Sequence, residues 1–105
     1  MSNMTNLIIA IENWSKQRGL DKADPTKQML KLIEEVGELA SGLARNNRDV
    51  ITDSIGDAFV VLTILSQQLD TNIEDCVRNA YNEIKERKGK MVNGVFVKES
   101  DLVER

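Results

Sequence analysis

The sequence predicts an all-α protein, a four-helix bundle followed by a short C-terminal β-hairpin and assembled as a homo-oligomer. Apolar residues recur at helical spacing in four segments, whereas near the C-terminus two β-prone triplets flank Asn93-Gly94. Only 4% of the 105 residues are aromatic, so the core must be aliphatic, which suits helix-on-helix packing. We expect one domain, residues 1–105, with the hairpin and tail at about 90–105.

The first two helices are separated by a polar loop. The first is predicted from about Thr5 to Arg18, and Gly19 ends it. Asp24-Pro25 opens the second, with aspartate as the N-cap and proline at the first helical position. Apolar residues recur at the helical period of this second helix to about Ala44 and form one stripe. Small residues of the helix are expected to permit close helix approach. This stripe contains Met29, Leu32, Ile33, Val36, Leu39, Ala40 and Leu43, and the small residues are Gly37, Ala40 and Gly42.

The third helix, predicted from near Asp49 to Leu69, is apolar on almost every side in its C-terminal half. Such a helix needs cover all round, and a second copy of the chain is the natural source. We therefore expect a homodimer or homotetramer in which an acidic stripe of this helix faces a shared cleft. The stripe expected to be buried contains Ile51, Ile55, Ala58, Leu62 and Leu65, and the acidic stripe contains Asp53, Asp57, Val60 and Ile64.

The last helix and the hairpin complete the predicted fold. The helix is expected from Thr71 to about Lys88, where Gly89 stops it. Residues Lys90–Val97 are expected to form a type I′ hairpin with Asn-Gly at its centre. A hairpin of this size is marginal alone and must pack on other elements. The tail, Lys98–Arg105, is charged and expected to fray.

Composition excludes several classes of function. The net charge of −3 argues against a nucleic-acid polymer as partner. Without histidine, the His-dependent zinc and nucleophile sites are excluded. Cys76 is the single cysteine, which fits a reducing compartment. No secretory signal and no bilayer-length apolar run is apparent, so we expect a cytoplasmic protein without a membrane partner.

Acidic residues are crowded on the second and third helices. Glu34, Glu35 and Glu38 lie within five residues, although like charges one turn apart repel each other. The positions four residues after them hold no lysine or arginine that would compensate the charge. In an antiparallel helix pair these acids would approach Asp53 and Asp57, and such oxygen ligands suit Mg²⁺ or Mn²⁺. The alternative is that the acids decorate solvated faces, and spacing alone leaves both interpretations open.

The segment Glu34-Glu35-Val-Gly-Glu38-Leu, followed by Asp53-Ser-Ile-Gly-Asp57, resembles the MazG-like nucleoside triphosphate pyrophosphohydrolases. That family carries EExxE and then ExxD on the next helix, and the likeness extends from about Trp14 to Gly89. It implies hydrolysis of a (deoxy)nucleoside triphosphate between its α- and β-phosphates by tightly paired subunits. The implied Mg²⁺ ligands are Glu35, Glu38 and Asp57, and Glu34 completes the shell or acts as general base.

This chain departs from the family pattern at Ser54, where the family usually has glutamate. Either Asp53 replaces that ligand from a rotated position, or the ligand is missing and water takes its place. Both alternatives remain open at the level of sequence.

Several other side chains are candidates for contacting the substrate. Lys31, Lys85 and Arg87 offer positive charge to phosphates, although lysine and arginine are favourable near a helix C-terminus in any case. Asn82 is a candidate for a sugar or base edge, and Trp14 for stacking on a base. The ordinary alternatives are a solvated asparagine and a tryptophan in the core.

Two further functions compete with the main hypothesis. The first is a phosphoribosyl-ATP pyrophosphohydrolase, which shares the fold class and the arrangement of acids. The second is a non-catalytic helical oligomeric module with solvated acids, such as a toxin–antitoxin or phage accessory partner.

Overall fold

The computed structural model describes residues 3–102 and confirms four helices followed by a two-stranded antiparallel hairpin. Two 3₁₀ turns, one after the first helix and one after the hairpin, were not predicted. The helices are α1 Asn3–Gln17, α2 Pro25–Ala44, α3 Arg48–Gln68 and α4 Ile73–Ile84; the strands are β1 Gly89–Val92 and β2 Val95–Lys98; the 3₁₀ turns are Leu20–Lys22 and Glu99–Asp101. None of the described helices combines the length and hydropathy that crossing a bilayer requires.

Side-chain caps fix where α2 and α3 begin. The Asp24 carboxylate accepts a hydrogen bond of 2.9 Å from the backbone N–H of Thr26, as the sequence predicts. The Asn47 side-chain oxygen accepts one of 3.3 Å from the N–H of Val50, so α3 begins at Arg48, one residue earlier than expected. Between the helices, Asn46 takes a left-handed conformation (φ 54°) that reverses the chain.

The chain up to Glu74 forms one compact unit in which α3 is central. α2 lies along α3, and α1 and the first 3₁₀ turn also pack against α3. Close approach of α2 and α3 depends on Gly42, because a Cβ atom there would lie 2.8 Å from Val50 Cγ1. The same expectation for Gly37 is wrong, since a Cβ atom there would meet no atom of the described residues within 4 Å.

Small hydroxyl residues are as numerous as aliphatic ones among the buried residues of α3. The buried aliphatic residues are Ile51, Val61 and Ile64, and the buried hydroxyl residues are Ser54, Thr63 and Ser66. Thr63 Oγ1 donates to the carbonyl of Phe59 at 2.8 Å, and Ser66 Oγ donates to the carbonyl of Thr63 at 2.6 Å. These bonds within the helix satisfy the hydroxyls of Thr63 and Ser66, which can then be buried at little cost.

The predicted buried stripes are partly wrong. On α3, Ile51 is buried as expected, but Ile55 and Leu62 are exposed in the single chain. On α2, most of the predicted stripe is exposed, including Met29, Ile33, Val36 and Leu43. Leu32 and Leu39 are half-buried, and the fully buried positions are Glu35 and Gly42. The reason is that α2 carries two apolar faces, and periodicity alone does not choose which of them meets α3.

The C-terminal unit begins at Asp75. α4 ends at Ile84 and not at Lys88, so Lys85 and Arg87 lie in the connection to β1. Asn93 (φ 52°) and Gly94 (φ 81°) both have positive φ, which confirms the predicted type I′ turn. The tail has regular structure as far as its 3₁₀ turn, contrary to expectation, while residues 103–105 of that prediction lie outside the described residues.

Candidate active site

Glu35 is a charged residue on the buried face of α2. Gly42 and Val50 meet beside the α2–α3 loop. Seven residues back along α2 (42 to 35) stands Glu35, and seven residues onward along α3 (50 to 57) stands Asp57. Equal steps from the loop bring residues of an antiparallel pair side by side, and both acids line one cleft of about 530 Å³. The predicted convergence of acids from the two helices therefore holds for this pair.

The electrostatic surroundings of Glu35 disfavour its charged form. Burial raises the pKa of Glu35 above its ordinary value, and the neighbouring charges of Asp57, Glu38 and Glu34 raise this pKa further. Lys31 lowers the pKa of Glu35, but its effect is smaller than that of burial, of Asp57 or of Glu38. With only 7% of its surface exposed, Glu35 is a buried carboxylate that a cation would stabilise.

The other predicted ligands are arranged less compactly. Glu34 and Glu38 influence Glu35 electrostatically, but within residues 3–102 no group of three acidic or cysteine side chains is close enough to hold a metal ion. Asp53 is exposed and is absent from the charges that act on Glu35. Ser54, the departure from the family pattern, is buried at 1% exposure. The buried position on this face of α3 thus carries a hydroxyl in place of an acid.

Positive charge reaches the same cleft from α2. Lys27 and Lys31 precede Glu35 by eight (35 to 27) and four (35 to 31) residues on one helical face, and both line the cleft. Lys31 was a predicted substrate contact, whereas Lys27 was missed. The sequence does carry a signal for Lys27, because it lies one helical turn before Lys31 and therefore on the same face.

Trp14 lies at the border of this cleft and is not a core residue. Its side chain is 45% exposed, so the ordinary interpretation of a buried tryptophan is wrong for the single chain. It lines the cleft together with Leu20 and Gln28, which sequence reasoning did not single out. Leu20 belongs to the unpredicted 3₁₀ turn, so only the folded chain reveals that it lines the cleft.

The remaining predicted substrate contacts belong to the C-terminal unit. Asn82 and Arg87 line a second cleft, of about 470 Å³, with Lys88 and Lys98 on the same walls. Three glutamates share those walls, so the cleft is of mixed charge: Glu83, Glu86 and Glu99. Lys85 is exposed just beyond α4.

The donor set in the first cleft is chemically suited to a hard divalent cation. Its acids offer oxygen alone, the ligand type that Mg²⁺ and Mn²⁺ prefer. Buried Glu35 carries a negative charge that its protein neighbours mostly oppose. Glu35 and Asp57 would hold such an ion, with Glu38 and Glu34 one turn and one residue away along α2.

Comparison with known proteins places these features in a family. Residues 23–92 match the MazG nucleotide pyrophosphohydrolase domain. The chain is also 52% identical over 69 residues to a Haemophilus phage HP1 (strain HP1c1) protein described as "Uncharacterized 18.2 kDa protein in rep-hol intergenic region". That match covers 65% of this chain and 42% of the phage protein, so the chain spans less than half of that relative. No solved structure gives a significant match. The chain, with its acidic pair on α2 and α3, belongs to the MazG nucleotide pyrophosphohydrolase domain family.

Proposed function

We propose that this protein is a Mg²⁺-dependent hydrolase that cleaves (deoxy)nucleoside triphosphates to the monophosphate and pyrophosphate. Water adds to the α-phosphorus, the bond from that phosphorus to the bridging oxygen breaks, and pyrophosphate leaves with the bridging oxygen. The proton lost by the water passes to a carboxylate, for which Glu34 is the candidate general base.

The observation that carries the proposal is the burial of Glu35 beside Asp57. A chain that only needed a stable helix pair would place an apolar residue at this position, since a buried and mostly opposed charge costs stability. A divalent cation bound there would neutralise that charge and the charge of the phosphate oxygens. Family membership supports the same reaction class.

The other residues of the site have distinct proposed roles. Glu38 and Asp57 join Glu35 as metal ligands, and Asp53 is the uncertain additional ligand. Lys31 lines the cleft from within the N-terminal unit and would bind phosphate oxygens as a point charge. Arg87, Lys85 and Asn82, which belong to the C-terminal unit, stay proposed substrate contacts.

We also propose that the active form is a homodimer or a dimer of dimers. Ile33, Val36 and Leu43 form an apolar stripe on α2 that is more than half exposed, and α3 adds the exposed Ile55 and Leu62. Such a contiguous apolar surface is unusual on a monomer and typical of an interface.

Pyrophosphate release from a panel of dNTPs and NTPs, with and without Mg²⁺, tests the function. We expect release from at least one nucleotide, dependent on the metal, and loss of about 100-fold or more of that rate in Glu38→Gln with the helical circular dichroism retained. Including phosphoribosyl-ATP in the panel separates the histidine-pathway type of enzyme. Absence of release from every substrate would contradict the proposal and leave a non-catalytic module.

The contrast between Asp57 and Asp53 tests the ligand assignment. Both aspartates are exposed, but only Asp57 lines the cleft and acts on Glu35. We expect Asp57→Asn to lower kcat/KM by about 100-fold and Asp53→Asn to change it by less than about threefold. Equal losses in both variants would instead assign Asp53 to the ligand set in place of the glutamate that Ser54 lacks.

A further inference from the structure

A second, apolar cavity adjoins the acidic cleft, and the two share a wall. We define the apolar trough as the cavity of about 320 Å³ lined by Leu7, Ala10, Ile11, Trp14 and Val60. Trp14 and Val60 also line the cleft that holds Glu35 and Asp57. A volume of this size lies at the lower end of the roughly 300–1,000 Å³ typical of ligand cavities. The continuous surface is therefore charged at one end and apolar at the other.

The Trp14 ring between these cavities is held by a cation. The Arg18 guanidinium carbon lies 4.1 Å from the ring centroid, and Arg18 Nη1 donates a hydrogen bond of 3.1 Å to the Trp14 carbonyl one turn earlier. Arg18 itself is absent from the walls of both cavities. The hydrogen bond holds the guanidinium in place, and the cation–π contact then restricts the half-exposed ring.

A nucleoside triphosphate has the same polarity as this surface. Its phosphates require cations and metal ligands, which Lys27, Lys31, Glu35 and Asp57 supply. Its base is a flat aromatic ring that binds favourably by stacking on an aromatic side chain. The walls of the apolar trough carry no polar side chain, so they would recognise a base by shape and stacking and not by its hydrogen-bonding edge.

From this arrangement, and resting on the proposed function, we propose that the nucleobase enters the apolar trough and stacks on Trp14, with Arg18 as the positioning residue. Trp14 thereby sets the direction of the substrate: base toward α1, phosphates toward α2 and α3. Base selectivity is weak and follows stacking area, so purines bind more tightly than pyrimidines.

Trp14 fluorescence tests this inference directly, because the chain has a single tryptophan. The probe is a deoxyadenosine triphosphate analogue with a methylene group between the α- and β-phosphates, which is inert at the bond proposed to break. With Mg²⁺, we expect saturable quenching by this analogue and none by inorganic tripolyphosphate, which has phosphates but no base. Trp14→Ala should weaken binding of the analogue by about tenfold or more and leave that of tripolyphosphate unchanged, both measured by calorimetry.

Arg18→Met tests the positioning role with a side chain of similar length and no charge. We expect a shift in the emission of the free protein and about two- to fivefold weaker binding of the analogue, again with tripolyphosphate unaffected. Arg18→Lys should recover part of both effects. Lys16→Met is the matched control, since it removes a cation from the same helix and Lys16 lines neither cavity.

The outcomes separate this inference from the function on which it rests. Metal-dependent pyrophosphate release together with unchanged KM in Trp14→Ala, or calorimetric binding of the analogue without any fluorescence response, would overturn the inference alone. Equal quenching by tripolyphosphate would do the same. Failure of every nucleotide to bind or react would overturn both.

Discussion

The two faces of α2 invert the usual distribution of side chains. The face toward α3 carries Glu35, a carboxylate with 7% of its surface exposed, between the half-buried Leu32 and Leu39. An adjoining face carries Ile33, Val36 and Leu43, of which Leu43 is 68% exposed. A helix stabilised only by its own chain would be arranged the other way round. Under the proposed function, the first face serves a ligand and the second serves a partner subunit.

The cost of this arrangement falls on the isolated subunit. Burial and three neighbouring acids disfavour the charge of Glu35, while the exposed stripe contributes less burial than a packed face would. Under the proposed function, a cation would remove the first deficit and another subunit the second. Stability, metal binding and assembly should therefore be coupled in this protein.

The largest expected effect comes from the buried face. Glu35→Gln keeps the shape of the side chain and removes the charge that would bind the metal, so we expect kcat/KM to fall by about 100-fold or more. Asp49→Asn, an exposed change in the first turn of α3, is the control and should stay within about twofold. Pyrophosphate release measures both, and comparable rates for Glu35→Gln and the wild type would remove Glu35 from the site.

The same variant should be more stable than the wild type in the absence of metal. The pKa of Glu35 is higher in the folded than in the unfolded protein, so this carboxyl costs no stability at acidic pH, where it is protonated in both states. Its cost grows as pH rises from the unfolded pKa to the raised folded pKa and is constant above that. The Tm advantage of Glu35→Gln should therefore grow from acidic to neutral pH and then level off. Mg²⁺ should reduce this Tm advantage by stabilising the wild type. A Tm difference between variant and wild type that does not change with pH would contradict this account.

A charge placed in the exposed apolar stripe of α2 should change the oligomeric state without unfolding the helix. Leu43→Glu places a charge within the apolar stripe, and we expect light scattering to shift from an oligomer toward the 11.8 kDa single chain. Ser41→Glu adds the same charge at an exposed polar position on the same helix and should leave the mass unchanged. An unaltered mass in Leu43→Glu would place the interface elsewhere.

The smallest expected effects come from two glycines of α2. In Gly42→Ala the new methyl group would meet Val50 Cγ1 at 2.8 Å, and we expect a loss of about 1–3 kcal/mol in the free energy of unfolding. Gly37→Ala adds the same atom in open space and should stabilise the protein by up to about 1 kcal/mol through helix propensity. Chemical denaturation measures the free energy of unfolding of both variants and so compares the steric effect at Gly42 with the helix propensity at Gly37. Equal changes in the two variants would show that α2 and α3 can separate at no cost.

Local signals predicted the elements well. Asp24-Pro25 placed the start of α2 correctly because a cap and a proline act within a few residues. Asn93-Gly94 predicted the hairpin turn for the same reason. The end of α4 was misplaced by four residues (88 against 84), since the charged run after Ile84 has no breaker before Gly89. Within the site, the pairing of Glu35 with Asp57 was predicted, but Lys27, Gln28 and Arg18 were not.

The sequence by itself determined the helices, their caps, the hairpin and the presence of acids at one-turn spacing, because these depend on neighbours along the chain. Only the tertiary structure decided which face of α2 is buried, that Ser54 and not Asp53 occupies the inner position, and that Trp14 borders the acidic cleft. The physical reason is that α2 and α3 each carry more than one apolar face. Their rotation about their own axes is fixed by small residues such as Gly42 that allow the backbones to approach, and periodicity contains no information on that rotation.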